Sequence, residues 1–416
     1  MYLPWMGKRK IGHPSSPETG PGTRPSSASE SAPEIRRLLL EAYDREKRAL
    51  PWRRDQDPYK IWISEVMLQQ TRVETVIPYY MEWMERFPDL NALASADEEE
   101  VLRIWQGLGY YSRARNLHSA ARLVRERLDG VLPTSASHLR SLPGGGEYTA
   151  GAVASIAYGE AVPAVDGNVR RVLARLFDLV DPGYADLRDL AGQLVDPARP
   201  GDFNQALMEL GALICTPRVP ACGQCPLSGH CLALERGTVA DRPGASKRYA
   251  PREVSMAVVV AVSGSVEGDG ALPGPDGVRF FLRRRRDRGL LARMWEFPGV
   301  EVEGGGREGR AARAAARLAG ELGLMPDSET VPGPSEGAGS RIDPSPLDPV
   351  LHLFTHLKVQ YWPFLLLVPE EESSRARSGS VPEEGVWLAS NELERIPLPT
   401  AQGKILANAR GRILDG

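Results

Sequence analysis

The chain has 416 residues, of which 42% are hydrophobic, and carries a formal net charge of −3. These values are typical of a globular protein with two domains and exclude a disordered or fibrous chain. They also exclude recognition of nucleic acid through overall charge alone, so a DNA-binding surface needs local clusters of cations. The candidate clusters are Arg113 with Arg115, Arg170 with Arg171, and Arg283 to Arg286.

The sequence predicts neither a membrane span nor a secretion signal. No apolar run approaches the roughly 20 residues that a membrane span requires. The first ten residues are basic but no apolar segment follows them, so we expect no signal peptide and a cytoplasmic protein.

Composition divides the chain into a tail, a helical domain, a linker and a mixed domain. Residues 1–32 are rich in Pro, Ser and Gly, which predicts a disordered tail. Over 33–236 apolar residues recur at three- and four-residue spacing, as helices require. Residues 237–251 have the composition of a linker. The domain over 252–416 is predicted to be α+β, with strands at 254–262, 278–282, 359–368 and 386–388 and one helix at about 307–322.

The first motif of the helical domain runs from Trp62 to Thr71 and reads Trp-Ile-Ser-Glu-Val-Met-Leu-Gln-Gln-Thr. Glu65 and Gln69 are four residues apart and therefore share one helix face. Glu65 is a candidate catalytic acid, but on this pattern alone it could equally be a charge that favours the start of a helix.

A glycine-rich turn follows at 142–151, between two helical segments. Such a turn can aim backbone N–H groups at a phosphate, as a helix-hairpin-helix does when it holds DNA without reading its sequence. The alternative is an ordinary turn between helices. Asp166 lies just before the next helix, where an aspartate is usually a cap. A buried carboxylate there could also stabilise positive charge at C1′ of a DNA sugar.

The four cysteines of the chain all lie within residues 215–231, in the spacing Cys-x6-Cys-x2-Cys-x5-Cys. Four thiolates this close together predict one metal centre. A 4Fe-4S cluster is favoured over a single zinc ion, which usually has two short Cys or His pairs. Disulfides are the least favoured interpretation, because nothing else indicates secretion. The ligands are Cys215, Cys222, Cys225 and Cys231.

Together these motifs resemble the endonuclease III superfamily of DNA glycosylases, and within it the adenine DNA glycosylases of the MutY type. The resemblance also rests on residues 50–53, 107–116, 164–168 and 203–211. It implies an all-α helix-hairpin-helix glycosylase domain over 33–236 that includes the hairpin 142–151 and the 4Fe-4S loop 215–231. A Nudix-like (MutT-like) α+β domain that recognises the lesion would follow over 252–416.

The resemblance implies a monomeric, nucleoid-associated enzyme that flips adenine out of duplex DNA where it is mispaired with 8-oxoguanine or guanine, and hydrolyses its glycosidic bond. Glu65 would protonate adenine at N7, which needs a pKa raised by burial. Asp166 would stabilise or capture the oxocarbenium ion, as in a retaining glycosidase, with Tyr148 and Asn168 assisting near the sugar.

Further contacts follow from the same resemblance. Arg48, Trp52, Leu68, Gln70, Val73 and Glu209 would line the adenine pocket, with Arg53 and Thr71 as further substrate contacts. Gln69 and Tyr110 would fill or wedge the space left in the duplex. Gly144, Gly145 and Gly146 would contact the DNA backbone, where the family also allows a monovalent cation.

Two features of the sequence narrow this interpretation. Glycosylase–lyases carry a lysine where this chain has Tyr148; a phenol cannot form their Schiff base, so we expect a monofunctional enzyme. In the Nudix-like domain, Gly305, Ala314, Arg317 and Leu318 stand where a Nudix hydrolase has its metal-binding acids, so this domain should bind rather than hydrolyse. Its tip, Phe354-Thr355-His356, matches the family's contact to 8-oxoguanine.

The hairpin departs from the family pattern at two positions. Gly145 replaces an apolar residue, which should cost roughly 1.5–3 kcal/mol of burial, and Glu147 places an acid close to the expected phosphate. We therefore expect weakened hairpin–DNA binding. Three other functions remain as alternatives: a bifunctional pyrimidine glycosylase–lyase, an electron-transfer protein and a Nudix hydrolase.

Overall fold

The computed structural model describes residues 26–244, 250–264, 277–287, 289–303, 308–324, 345–368 and 385–415. The N-terminal half of the chain is helical. Its helices are α1 Ser26–Glu46, α2 Pro58–Leu68, α3 Val73–Arg86, α4 Leu90–Ser95, α5 Glu98–Ile104, α6 Ser112–Arg127, α7 Ala136–Leu139, α8 Glu147–Tyr158, α9 Gly167–Leu176, α10 Tyr184–Leu194, α11 Pro200–Leu213 and α12 Leu232–Glu235.

Two apolar cores hold the helical half together. One core packs α2 to α8 around the large rings of Trp83, Phe87 and Trp105. The other packs α1 against α9, α10 and α11, and three of the four cysteines lie at its edge. Because the two cores are separate, a cleft can form where they meet, between α2 and α8 on one side and α9 and α11 on the other.

The C-terminal half is α+β, as predicted, and consists of a mixed sheet between two helices. Its strands are β1 Arg252–Ser263, β2 Arg279–Arg284, β3 Trp295–Glu296, β4 Gly299–Glu301, β5 Ser345–Pro346, β6 Val350–Leu353, β7 Leu357–Val368 and β8 Gly385–Ala389, and its helices are α13 Glu308–Glu321 and α14 Thr400–Asp415. The order β3-β2-β1-β7-β5 is parallel between β1 and β7 and antiparallel elsewhere. Alternate residues of β1 face α14 and α13, as the two-residue period of a strand requires.

The two halves contact each other through the segment before β3. Met294 is fully buried in the core of α2 to α8. Arg115 of α6 donates to the Ala292 carbonyl at 2.9 Å, and Arg293 pairs with Glu98 of α5 at 3.1 Å. Apolar burial and ion pairing thus both hold the sheet domain against α5 and α6.

Two predicted boundaries need correction. Residues 1–25 of the predicted tail lie outside the described residues, but α1 already begins at Ser26 and Ala32 is buried. The prediction of disorder was wrong there because Ala32 continues the apolar face of Ile35 and Leu39, which packs in the second core. The start of the predicted linker is also packed: Arg242 forms an ion pair with Asp178 at 2.7 Å, and the Gly244 N–H donates to the Val180 carbonyl.

Within the described residues, we find no helix with both the length and the hydropathy to cross a membrane.

Candidate active site

A cavity of about 410 Å³ opens where the two helical cores meet. Residues from α2, α8, α9 and α11 line it, together with the turn before α2. It contains most of the predicted site: Arg48, Trp52, Arg53, Glu65, Leu68, Thr71, Val73, Tyr148, Asp166, Asn168 and Glu209.

Glu65 is a buried acid on the helix that it was predicted to occupy. Its side chain is 5% exposed, and Oε2 accepts a hydrogen bond of 2.6 Å from the Tyr148 hydroxyl. Burial raises the pKa of Glu65 to about 7, and the negative charge of Asp166 adds to that effect. The Tyr148 hydrogen bond and Arg53 lower the pKa, because both stabilise the ionised form. A carboxyl with this pKa can hold and release a proton near neutral pH.

Asp166 is both a helix cap and a wall of the cavity. Its side chain accepts from the Val169 N–H at 2.7 Å and from the Asn168 amide at 2.9 Å, at the start of α9. Burial raises the pKa of Asp166, whereas these two donors and Arg171 oppose the shift. The two interpretations of Asp166 left open by the sequence are therefore compatible.

An ion-paired carboxylate forms another wall of the cavity. Glu209 accepts from Arg48 Nε at 2.7 Å and from Arg53 Nη1 at 2.8 Å. Burial alone would raise the pKa of Glu209, but the two arginines outweigh it and hold that pKa below its usual value. Glu209 is therefore ionised at neutral pH while Glu65 is poised to titrate, so these two acids of the cavity differ in protonation.

The sequence reasoning missed two side chains that orient these groups. Gln205 accepts from Arg53 Nε at 2.9 Å, and Met208 Sδ lies 3.4 Å from the Tyr148 hydroxyl. Both residues line the cavity. Gln205 precedes Met208 by three residues and Glu209 by four, a helical spacing that could have found them.

The predicted wedge residues lie outside the cavity. Gln69 donates to the Thr149 hydroxyl at 2.9 Å, which places it over the start of α8. Gln70 is exposed, has a positive φ of 56° and does not line the cavity, although it was expected there. Tyr110 is 45% exposed, and its hydroxyl lies 2.7 Å from the Thr355 hydroxyl of the sheet domain.

Residues 354–356, the tip predicted to contact 8-oxoguanine, form the turn between β6 and β7. The Phe354 N–H donates to the Leu357 carbonyl at 2.7 Å, and the Phe354 ring meets the edge of His352 at 4.5 Å. Thr355 and His356 are exposed. The contact between Tyr110 and Thr355 brings this tip next to the helical domain.

The hairpin is present, but the N–H groups of two of its glycines, which were expected to face a phosphate, donate within the turn instead. It joins α7 to α8, and the N–H groups of Gly145 and Gly146 donate to Leu142 and Gly144 within the turn. The donors left for a phosphate are those of the first turn of α8, which have no partner inside the helix. Gly144 has a positive φ of 76° and sets the direction of the turn. The monovalent cation stays a prediction.

The structure explains both positions at which the hairpin departs from the family pattern, Gly145 and Glu147. A Cβ at Gly145 would lie 2.1 Å from the Leu139 carbonyl oxygen, so the expectation that glycine loses a stabilising apolar contact here is wrong. Glu147 is the first residue of α8 and pairs with Arg140 at 3.0 Å and Arg188 at 3.6 Å. The acid neutralises two arginines beside the hairpin.

The predicted clusters of cations serve mostly internal contacts. Arg113 is buried, and Arg171 donates to the Cys215 carbonyl at 2.8 Å. Arg283 and Arg285 pair with Glu296, and Arg284 pairs with Glu99 at 3.6 Å. Arg170 forms an exposed pair with Asp181 at 3.1 Å. Charge patterns along the sequence therefore did not locate a DNA-binding face.

No disulfide joins any two of the four cysteines. In the described residues, no group of three or more His, Cys, Asp or Glu side chains is placed to hold a single metal ion. The fit to a cluster rests instead on the donor set. Burial raises the pKa of Cys225 to about 11, and neighbouring Cys215, Cys231 and Cys222 add to it, as expected for thiols that share one site. Iron binding would displace their protons.

Comparison with known protein families agrees with this geometry. Residues 63–197 match the model of the HhH-GPD superfamily of base excision DNA repair proteins, 274–408 match a NUDIX domain, and 215–231 match the iron-sulfur binding domain of endonuclease III. The last match spans the four cysteines and shows that this loop carries a 4Fe-4S cluster; the assignment of each cysteine as a ligand stays a prediction.

Relatives and solved structures are similar over long stretches. Human adenine DNA glycosylase is 39% identical over 91% of this chain and 74% of its own, and the enzyme of Mycolicibacterium smegmatis is 46% identical over 51% of this chain and 74% of its own. A trapped endonuclease III–DNA covalent intermediate aligns at 23% identity and a TM-score of 0.44, covering 50% of this chain and 98% of that one. The C-terminal domain of mouse MUTYH in complex with human PCNA aligns at 22% identity and a TM-score of 0.27, over 39% and 90% of the two chains.

Fold, cavity and family matches together define a DNA N-glycosylase of base excision repair, a hydrolase with a helix-hairpin-helix, an iron–sulfur loop and a Nudix-like domain. The chain belongs to the adenine DNA glycosylase family.

Proposed function

We propose that this enzyme removes adenine from duplex DNA where adenine is mispaired with 8-oxoguanine or guanine. The observation that carries the proposal is the pair of acids in one cavity. Glu65 has a pKa raised to about 7, and Glu209 is held ionised by Arg48 and Arg53. An acid that can hold a proton near neutral pH and a fixed ion pair can supply a proton and hydrogen-bonding groups for a purine, which must first leave the base stack to reach them.

The chemistry follows from the positions of the acids. Glu65, protonated, donates to N7 of the flipped adenine and turns the base into a neutral leaving group. Cleavage leaves positive charge on the sugar. Asp166, whose orientation is fixed by Val169 and Asn168, stabilises that charge or bonds to C1′, and water completes hydrolysis.

The absence of a nucleophilic amine at position 148 supports a monofunctional enzyme. Tyr148 uses its hydroxyl to bind Glu65 at 2.6 Å. A phenol cannot form a Schiff base with the sugar. The lyase step of a glycosylase–lyase therefore has no candidate at this position.

The sheet domain would read the base opposite adenine. The exposed tip of Thr355 and His356 lies next to Tyr110, since the Tyr110 and Thr355 hydroxyls are 2.7 Å apart. Side chains with hydroxyl and imidazole groups can bind the N7–H and O8 groups that distinguish 8-oxoguanine from guanine. At the acid positions of a Nudix hydrolase, Ala314 and Leu318 offer no ligand for a metal ion.

The test is a substrate panel under single turnover. Adenine should be released from duplexes in which it faces 8-oxoguanine or guanine, and not from those in which it faces thymine. Borohydride should trap no covalent complex. Release of an oxidised pyrimidine with a trapped complex would support the glycosylase–lyase alternative instead.

A further inference from the structure

Arg113 joins two loops of the helical domain from a buried position. It lies at the start of α6 and is 8% exposed. Its Nη1 donates to three carbonyls at the end of α2, those of Val66 at 2.8 Å, Met67 at 3.0 Å and Gln69 at 2.7 Å. Its Nη2 reaches the Leu108 and Gly109 carbonyls, each at 3.2 Å, and the Thr71 hydroxyl at 3.3 Å.

This arginine is buried without an acid among its described partners. Besides the carbonyls, the guanidinium contacts two rings, with its carbon 5.1 Å from the centre of Trp105 and 5.5 Å from that of Tyr110. Burial lowers its pKa to about 10. Buried charges are usually paired, and an apolar side chain of similar volume is often less costly for stability. The planar guanidinium of Arg113 therefore has a role that an apolar side chain could not fill, namely hydrogen bonding to both loops at once.

The two loops that it joins have unusual backbone conformations. Gln70 has a φ of 56° and Tyr110 a φ of 49°, between Gly107 and Gly109 at 104° and 73° on one side and α6 on the other. A non-glycine residue in this region is strained and persists only when its surroundings fix it. Arg113 supplies these surroundings. Its Nη1 binds the Gln69 carbonyl next to Gln70, and its Nη2 binds the Leu108 and Gly109 carbonyls just before Tyr110.

Each loop carries one of the two side chains expected to enter the duplex. Gln69 follows α2, and Tyr110 precedes α6 with its ring over the guanidinium. The same guanidinium caps the end of α2, the helix on which Glu65 lies one turn earlier. A positive charge at a helix C-terminus is favourable, and three carbonyl contacts fix where that helix ends.

We propose that Arg113 is a positioning residue for base extrusion, which sets the spacing between Gln69 and Tyr110 so that both fit the space left by the flipped adenine. This inference rests on the proposed adenine glycosylase function. Arg113 itself touches neither the base nor the sugar.

The experiment measures extrusion apart from bond cleavage. The target adenine is replaced by 2-aminopurine opposite 8-oxoguanine, and its fluorescence is followed after mixing with enzyme in the Glu65→Gln background. Arg113→Lys keeps the charge but loses the fork. We expect Arg113→Lys to extrude 2-aminopurine about 10²-fold more slowly than the enzyme with Arg113, which is the order of loss that a misplacement of about 1 Å can cause. The matched control is Arg125→Lys on the same helix, where Arg125 donates to the Ser95 hydroxyl on the surface.

A merely structural role would move different quantities. If Arg113 only stabilises the fold, Arg113→Lys lowers the melting temperature but, well below that temperature, extrudes 2-aminopurine at the rate of the control. The positioning role predicts slower extrusion together with an unchanged pH profile of adenine removal when residue 65 is glutamate, because Glu65 takes its pKa from burial, Tyr148, Asp166 and Arg53. Extrusion by Arg113→Lys at the rate of Arg125→Lys would overturn the inference.

A second variant covers the case in which Arg113→Lys fails to fold. Tyr110→Leu leaves the six hydrogen bonds of Arg113 in place and removes the ring above it. It should slow extrusion without a loss of stability. Normal extrusion by Tyr110→Leu also contradicts the inference. If the wild type removes no adenine, the proposed function fails first, and the two failures are thus distinguishable.

Discussion

We predict that the Tyr148 hydroxyl lowers the pH at which adenine release begins to fall, and Tyr148→Phe tests this. The hydroxyl donates to Glu65 at 2.6 Å and so stabilises the ionised acid. A hydrogen bond to a charged group contributes about 1.5–3 kcal/mol, and about 1.4 kcal/mol corresponds to one pKa unit. Its removal should therefore raise the pKa of Glu65 from about 7 by roughly 1–2 units.

The sign of the effect on rate follows from the role of Glu65. With Glu65 as the proposed acid, the reaction needs its protonated form, so the rate should fall as pH rises through the pKa of Glu65. In Tyr148→Phe this fall should occur about 1–2 pH units higher than in the wild type, even if the maximal rate is lower. The assay is the single-turnover rate constant of adenine release across the pH range.

The matched control is Tyr158→Phe on the same helix. The Tyr158 hydroxyl donates to the Leu132 carbonyl at 3.1 Å, away from Glu65, and its loss should leave the profile unchanged. A Tyr148→Phe profile that stays in place, or moves to lower pH, would refute the assignment of Glu65 as the acid.

Three further predictions concern stability and DNA binding. Glu65 has a pKa of about 7 in the folded protein, against an ordinary value of 4.5, so its ionisation destabilises the protein as pH rises from about 4.5 through 7. Glu65→Gln should therefore be more stable by about 3 kcal/mol above that range and equal below it, measured by urea unfolding. Glu147→Gln should free Arg140 and Arg188 for phosphate, tighten DNA binding and steepen its salt dependence by about one unit per arginine engaged, measured by anisotropy; an unchanged slope would argue against it. Gly145→Val should lower the melting temperature, because its Cβ would meet the Leu139 carbonyl at 2.1 Å; equal or higher stability would show that the turn can adjust.

The parts of the site that the sequence predicted well are those held in short contiguous motifs. Glu65 lies on the helix that its neighbours predict, and Asp166 caps the helix that follows it. The cysteine spacing predicted the iron–sulfur loop. In each case the signal is local, a helix period or a ligand spacing that residues close together in the sequence determine.

The rest depends on tertiary contacts that a single sequence does not encode locally. Arg113 is an unremarkable cation in the sequence, yet it is buried because the end of α2 presents three carbonyls to it. The sequence predicted that Gly145 loses a buried apolar contact, whereas the Leu139 carbonyl occupies the space that a side chain would need. Gln205 and Met208 become part of the site only because α11 turns that face toward Tyr148 and Arg53.

The central claim is that Glu65 protonates an adenine that has left the duplex. The most direct measurement is chromatographic detection of free adenine, under single turnover, from a duplex with adenine opposite 8-oxoguanine, with Glu65→Gln alongside the wild type. We predict free adenine from the wild type and none from Glu65→Gln, although both bind the duplex. No adenine from the wild type, or equal release from Glu65→Gln, would contradict the account.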